Sequence, residues 1–315
     1  MDIALSIIAP LYNEQDSVTP LYEAIVKSVD RMGIDYEILF VDDGSKDETV
    51  PVASQLAASD KRLRVIKFRR NYGQTPAMAA GIDNARGKIL VTLDGDLQND
   101  PDDIPELVQK IEEGYDIVVG WRHKRQDKLI SRKLPSKAAN WLIGKITGVP
   151  IKDNGCSLKA YRADVIKHIP LYSEMHRFIP AMTSLAGTRI AEIKVKHHAR
   201  AFGESKYGLT RIYKVFVDLM TIKTILSSFS KPLVIFAIVA SVSALFGILA
   251  FISTLLLGDE SPTMIFYSVG ILYSSLTVIL LLWGMLGELI YRTGELKIEH
   301  FARIKSSTKH GNEES

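Results

Sequence analysis

Val91-Thr92-Leu93-Asp94-Gly95-Asp96-Leu97-Gln98-Asn99-Asp100-Pro101 is an apolar run that ends in two carboxylates spaced one residue apart. Residues Lys88 to Leu93 are rich in β-branched and aliphatic side chains and too few for a helix, which predicts a strand buried on both faces of a parallel sheet. In open α/β sheets ligands gather beyond the carboxyl ends of such strands. Asp94 and Asp96 at that edge are hard oxygen ligands suited to Mg²⁺ or Mn²⁺, with diphosphate oxygens completing the shell, and Gly95 lets the backbone come close. The same residues also fit an acidic turn ahead of a helix that starts at Pro101, so the flanking chain has to choose between the two.

Upstream, the same pattern recurs. Leu5 to Pro10 reads as a first strand, Leu11 to Glu14 as its exit loop, and Ser17 to Met32 as a helix of about four turns. Glu37 to Val41 is a second strand that also ends in carboxylates, Asp42-Asp43, followed by Gly44-Ser45 and a helix capped by Ser45 or Asp47. Arg64 to Phe68 is a third strand and Thr75 to Asn84 a helix. Downstream, Ile104, Leu107, Val108 and Ile111 have helical spacing, and Asp116 to Gly120 is a short strand. Asp153 to Tyr161 is a turn feeding another strand, and Ile190 to Val195 closes the sheet. Strands alternating with helices at these intervals predict a parallel, doubly wound α/β sheet.

Between these elements, Trp121 to Lys137 carries Arg122, His123, Lys124, Arg125, Lys128, Arg132, Lys133 and Lys137 with few acids. It is long for a connection and is either an anion-binding loop or a solvated charge run. Ser136 to Thr147 reads as a helix. His197 to Gly208 is a polar, glycine-punctuated loop. Adjacent His197 and His198 point to opposite faces, which favours a surface role over joint metal binding. Cys156 reads as core, with no sign of a low-pKa setting.

The formal charge of +3 is too small to argue for nucleic acid, and one cysteine in 315 residues excludes an intramolecular disulfide. No basic and apolar leader precedes the first strand, so the region before the membrane segments is expected to stay on the side where it is made. Leu209 to Ser228 places Ile212, Val215, Phe216, Leu219, Ile222, Ile225 and Leu226 at helical spacing among Arg211, Lys214 and Lys223, a basic amphipathic helix suited to a membrane interface. Pro232 to Leu257 and Pro262 to Gly287 are free of charge, each about 39 Å long as a helix and able to span with tilt. Only Gly258 to Ser261 joins them, so they form a hairpin. Lys223, Lys231, Arg292, Lys297, Arg303 and Lys305 flank it while the acidic connection has no cation, which predicts a cytoplasmic catalytic region and tail. Gly270, Gly284 and Gly287 suit close helix packing between protomers.

On these residues the chain resembles the polyprenyl-phosphate glycosyltransferases of glycosyltransferase family 2, membrane-anchored inverting enzymes of the GT-A nucleotide-diphospho-sugar fold. Bactoprenol glucosyltransferases look nearest and dolichol-phosphate mannose synthases further off. The resemblance covers almost the whole chain. It rests on Ala9 to Glu14, Val41 to Ser45, Asp94-Gly95-Asp96 with Leu97 to Pro101, and His198-Ala199-Arg200 through Ser205-Lys206, in that order ahead of two spans. It implies a GT-A catalytic domain over 1–208, an interfacial region over 209–231, a transmembrane hairpin over 232–287 and a cytoplasmic tail over 288–315. The setting it implies is a bacterial inner membrane, crossed twice, with both termini cytoplasmic.

The resemblance also implies roles. Pro10, Tyr12, Glu14, Asp42 and Asp43, with Asp94 and Gly95, match the nucleotide site; Asp94 and Asp96 match the Mg²⁺ or Mn²⁺ ligands, with Gln98 beside them. Arg200 and Lys206 match the cations that close over the diphosphate. Arg122, Arg132 and Ser136 resemble, more loosely, the grip on the acceptor phosphate. Asp153 is placed to orient the acceptor or take a residual proton. The implied reaction is inverting transfer of a hexose, glucose from UDP-glucose first, to undecaprenyl phosphate. Implied partners are a homo-oligomer, a flippase and a downstream glycosyltransferase. Rival readings are another donor such as GDP-mannose or a UDP-aminosugar, and a non-catalytic flippase-partner module. A processive synthase is disfavoured by the absence of a Gln-X-X-Arg-Trp motif.

Overall fold

Seven strands form one sheet in the order β3-β2-β1-β4-β6-β5-β7. The computed structural model of the chain describes residues 3–123, 144–145, 148–149, 151–169, 171, 175–184, 187–199, 232–257 and 263–293. These fall into two compact units, an α/β unit up to residue 199 and a helical pair over 232–293. Expectations for Arg132, Ser136, Arg200, Lys206, the helix over Ser136 to Thr147 and the interfacial helix lie on residues not wholly within that set.

The central strands β1 (Leu5–Leu11), β2 (Tyr36–Asp42) and β4 (Ile89–Thr92) are buried along almost their whole length. Helices cover both faces of a parallel sheet, so such strands read as continuous apolar runs and not as alternation. β1 pairs in parallel with β2 and β4, and β2 with the edge strand β3 (Leu63–Lys67). Helix α1 (Gln15–Val29) buries Val18, Leu21, Ile25 and Val29. Helices α2 (Thr49–Ser59) and α3 (Gln74–Asn84) follow β2 and β3. In α4 (Ile104–Glu112) the buried residues are Ile104, Leu107, Val108 and Ile111, as their spacing predicts.

The second half of the sheet departs from simple alternation. β5 (Ile117–Arg122) runs parallel to β7 (Ile190–Val195), and the four-residue β6 (Lys159–Arg162) enters between β4 and β5 antiparallel to both. The sheet is therefore mostly parallel with one reversed strand. Two short helices, α5 (Ala163–Ile166) and α6 (Ile179–Ser184), follow β6.

In the second unit, α7 (Pro232–Leu257) keeps the bounds of its uncharged run, whereas α8 (Thr263–Thr293) continues past Gly287 through Glu288 and Arg292. A helix needs backbone hydrogen bonds and not apolar side chains, so it outlasts the apolar stretch. Both helices are long and apolar enough to cross a membrane. Ser243 Oγ donates to the Tyr273 carbonyl at 3.0 Å. A Cβ on Gly270 would press on the Phe251 ring at 3.0 Å, and one on Gly284 would press on Phe236 Cβ at 2.8 Å. These glycines thus let the two helices of one chain approach each other.

Candidate active site

The exit loops of β1 and β2 are laced together. Asp43 N–H donates to the Leu11 carbonyl (2.8 Å), Asn13 N–H to Ser45 Oγ (2.9 Å), Lys46 N–H to Asn13 Oδ1 (2.8 Å) and Glu14 N–H to Thr49 Oγ1 (2.8 Å). Asn13 has φ 52°, a left-handed conformation that asparagine tolerates. Pro10 lies in β1 opposite Val41, and Tyr12 and Glu14 are partly exposed beside it. The Glu14 carboxylate accepts from Ser17 Oγ at 3.1 Å in the first turn of α1. Asp47, one of the two expected caps, accepts from the Thr49 N–H that opens α2; Ser45 instead serves the first loop.

Asp42 and Asp43 are both buried and divide their work. Asp42 accepts from the amides of Gly44 and Ser45, closing the turn on itself. Asp43 accepts from the amides of Tyr72 (2.7 Å) and Gly73 (2.8 Å), so it anchors the loop after β3. Burial pushes the Asp43 carboxyl up from its ordinary value, two amide donors oppose the shift, and the Asp42 charge adds to it. Gly44 has φ 72°, and a Cβ there would collide with the backbone of Arg70. Gly44→Ala is expected to cost at least about 1–2 kcal/mol from the left-handed backbone alone, read as a lower denaturation midpoint. Beside Asp43, Tyr72 is 53% exposed, with the Arg70 guanidinium 4.7 Å from its ring centroid.

Asp94 and Asp96 leave β4 at the same carboxyl edge. Gln74 Nε2, in the first turn of α3, donates to Asp94 Oδ1 at 2.6 Å, and Asp96 Oδ1 accepts from the Gln98 N–H at 3.2 Å. Leu97 between them has φ 60°, and the strain of that conformation turns the chain sharply after the second carboxylate. A Cβ on Gly95 would meet Leu11 Cδ2 at 2.5 Å, so glycine here lets the carboxylate loop lie against the end of β1. Burial, and after it the charge of Asp96, pushes the Asp94 carboxyl up, while Ser157, Arg122 and Arg177 oppose the shift. Two repelling carboxylates in a dry setting fit a divalent cation, whose charge relieves the repulsion. Among the described residues no group of three or more His, Cys, Asp or Glu gathers to hold a metal; diphosphate oxygens and water are suited to complete a shell begun by two carboxylates.

The stretch after β7 is stitched to this loop. His198 N–H donates to the Gln98 carbonyl at 2.9 Å, Asn99 and His197 form an antiparallel bridge, and Lys196 N–H donates to Asp103 Oδ2 at 2.7 Å. The exposed His198 ring lies 3.1 Å from Asp100 Oδ2.

Arg122 and Asp153, separate candidates in the sequence, form one bidentate pair. Arg122 Nε lies 2.7 Å from Asp153 Oδ2 and Nη2 2.8 Å from Oδ1, and both side chains are largely buried. The partnership raises the Arg122 pKa further above its ordinary value, against burial, which lowers it. Both Asp153 oxygens therefore serve the guanidinium, through its Nε and Nη2.

Several site residues have no motif in the sequence. Gln74 holds Asp94. Asn99 Nδ2 donates to Ser157 Oγ (2.7 Å), and the Ser157 carbonyl accepts from Thr92 Oγ1 (2.8 Å), two residues before Asp94. The His176 ring meets Thr75 Oγ1 at 2.7 Å. Lys159 is buried in β6. For Lys159 a signal existed: a lysine inside the apolar run Leu158 to Tyr161. Cys156 is buried and its thiol is pushed up to about 11 by burial, an unreactive core position.

The sequence profile of Glycosyl transferase family 2 matches residues 6–169. Dodecaprenyl-phosphate galacturonate synthase of Rhizobium johnstonii is 42% identical over 302 residues, covering 92% of this chain and 88% of the relative. Undecaprenyl-phosphate 4-deoxy-4-formamido-L-arabinose transferase of Aeromonas hydrophila is 39% identical, covering 92% and 90%. Among solved structures, glucosyl-3-phosphoglycerate synthase from Mycobacterium tuberculosis, in complex with Mn²⁺, UDP and glucosyl-3-phosphoglycerate, superimposes with a TM-score of 0.56 at 16% identity, over 70% of this chain and 80% of that one. That likeness carries the GT-A fold.

Proposed function

We propose, for a chain that belongs to glycosyltransferase family 2 and to its polyprenyl-phosphate sugar transferases, that it moves a sugar acid from a uridine-diphosphate donor to undecaprenyl phosphate or a close homologue of it. The observation that carries the reading is the Asp94–Asp96 pair at the carboxyl edge of β4, beside the laced loops of Asp42 and Asp43. Glucose, the first expectation from sequence, gives way to a hexuronate because a relative 42% identical over nearly its whole length is named for galacturonate. A 4-deoxy-4-formamido-arabinose donor is the second reading, supported by relatives at 36–39% identity.

In this mechanism Asp43 and the loop it anchors hold the nucleoside. Asp94 and Asp96 would hold Mg²⁺ or Mn²⁺, which when bound neutralises the diphosphate leaving group. An oxygen of the lipid phosphate attacks the anomeric carbon as the bond to the diphosphate oxygen breaks, and in-line geometry inverts the centre. That phosphate is mostly ionised near neutral pH, with a second pKa of about 6, so Asp153 serves better as the fixed partner of Arg122 than as a base. Arg122 would present Nη1 to the acceptor phosphate, with Arg132, Ser136, Arg200 and Lys206 as further contacts. The domain limits suggested by the sequence belong to this proposal, as does a hairpin in the bacterial inner membrane with the catalytic unit and termini cytoplasmic. A homo-oligomer and a flippase partner belong to it too.

The test is a donor panel with Mn²⁺ and undecaprenyl phosphate: UDP-galacturonate, UDP-glucuronate, UDP-glucose, UDP-N-acetylglucosamine and GDP-mannose. A hexuronate is expected to exceed UDP-glucose by about tenfold or more in kcat/KM, since a site built to pair a polar group rejects the analogue that lacks it. Equal or better use of UDP-glucose would return the sugar to the original expectation.

A further inference from the structure

Lys159 sits in a central strand, opposite Thr92 of β4 and Val119 of β5, and is 2% exposed. Its ammonium donates to two backbone carbonyls, Asn154 (3.2 Å) and His176 (3.3 Å), and forms no ion pair among the described residues. Burying a charge without a counter-ion is costly, and a methionine would fill a similar volume without that cost. The two carbonyls it joins belong to the two segments that flank Asp94. One runs from Asp153, the partner of Arg122, to Ser157, whose carbonyl accepts from Thr92 Oγ1 at 2.8 Å, two residues before Asp94. The other is the turn Met175–Arg177, whose His176 ring holds Thr75. Thr75 is next to Gln74, and Gln74 donates to Asp94. The contacts close a ring through the end of β4: Asp94, Gln74 with Thr75, His176, Lys159, Asn154 with Asp153, Ser157, and Thr92 two residues before Asp94.

We propose that Lys159 is a positioning residue for glycosyl transfer, joining the donor-side start of α3 to the acceptor-side Arg122–Asp153 pair so that nucleophile and leaving group stay in line. The inference rests on the polyprenyl-phosphate transfer reading. It assigns to Lys159 a share of kcat and little of substrate affinity, because the ring sets relative placement and the ammonium itself is shielded from substrate. Around the ammonium stand Arg122, Asp153, Cys156 and Arg177; burial brings it down to about 8, Cys156 and Asp153 raise it, and both arginines lower it further. Its charge is therefore present at pH 7 and lost as pH rises through that value.

The experiment compares full-length wild type with K159M, T75V and the double variant, at saturating donor and acceptor. Each single substitution is expected to lower kcat per folded enzyme by about 10–100-fold, the range for an outer support of a reacting centre. Donor KM stays within about twofold. The double variant should fall no further than the worse single one, since both cut the same ring. In wild type kcat declines above pH 8, and in K159M that decline is flattened. If K159M does not accumulate as folded protein, K159Q, which retains two N–H donors, takes its place. A kcat within twofold of wild type in the Lys159 variant, losses that multiply in the double variant, or a lower melting temperature with unchanged kcat overturns the proposal. Absence of transfer by wild type from every donor overturns the functional reading and this inference with it.

Discussion

Asp96→Asn is expected to lower sugar transfer by about 10²–10³-fold, the loss typical when one preorganised electrostatic contact to the reacting centre is removed. Asparagine keeps the shape of aspartate, and its Oδ1 still accepts the Gln98 amide that closes the turn at 3.2 Å. The Leu97 turn and the end of β4 are therefore retained. What disappears is one of the two negative charges that a divalent cation would bridge. Asp94, which burial and then the Asp96 charge push up from its ordinary value, also ionises more easily in the variant. Thermal melting separates these effects: wild type is expected to gain stability from UDP with Mn²⁺ by mass action, and the variant to gain far less from the same starting melting temperature. EDTA should abolish transfer by wild type. A variant as active as wild type, or wild type unaffected by EDTA, would remove the metal from the mechanism.

Arg122→Met is the second large effect, and it is a stability effect before it is a catalytic one. The Nε–Nη2 edge of the guanidinium is bound by both oxygens of Asp153, with the two side chains 13% and 7% exposed. Removing the cation takes the counter-charge from a buried carboxylate, a change worth about 3–5 kcal/mol. For a unit of this size that corresponds to a fall of about 6–20 °C in melting temperature. Asp153→Leu added to Arg122→Met should recover much of the loss, because the pair's net value against an apolar replacement is small. Activity should not return with stability, since Nη1 has gone as well. A melting temperature within 2 °C of wild type for Arg122→Met would mean that solvent reaches the pair and that the bidentate geometry contributes little.

These two sites differ in how far the sequence alone discloses them. Asp94 and Asp96 announce themselves because a strand that is apolar on both faces and then abruptly acidic has few other uses. Arg122 and Asp153 lie 31 positions apart, one in a stretch with seven lysines and arginines and the other in a glycine turn, and no spacing rule connects them. The same is true of Gln74 and Asp94, 20 apart, and of Thr75 and His176, 101 apart. These contacts depend on the packing of α3 and of the turn after β6 against the sheet edge. Strand β6 itself, four residues long, has too few side chains to express a period, and its antiparallel place between β4 and β5 shows only in the folded sheet.

The sequence by itself determined the parallel half of the sheet, the helical face of α4, the two uncharged helices and the carboxylate edge, because each is written in side chains close together along the chain. Only the tertiary structure decided which groups meet: Asp43 with the loop after β3, Arg122 with Asp153, and Lys159 with the carbonyls of Asn154 and His176. A buried charge is stable only where the fold supplies its partners, and those partners come from residues that chain order keeps apart.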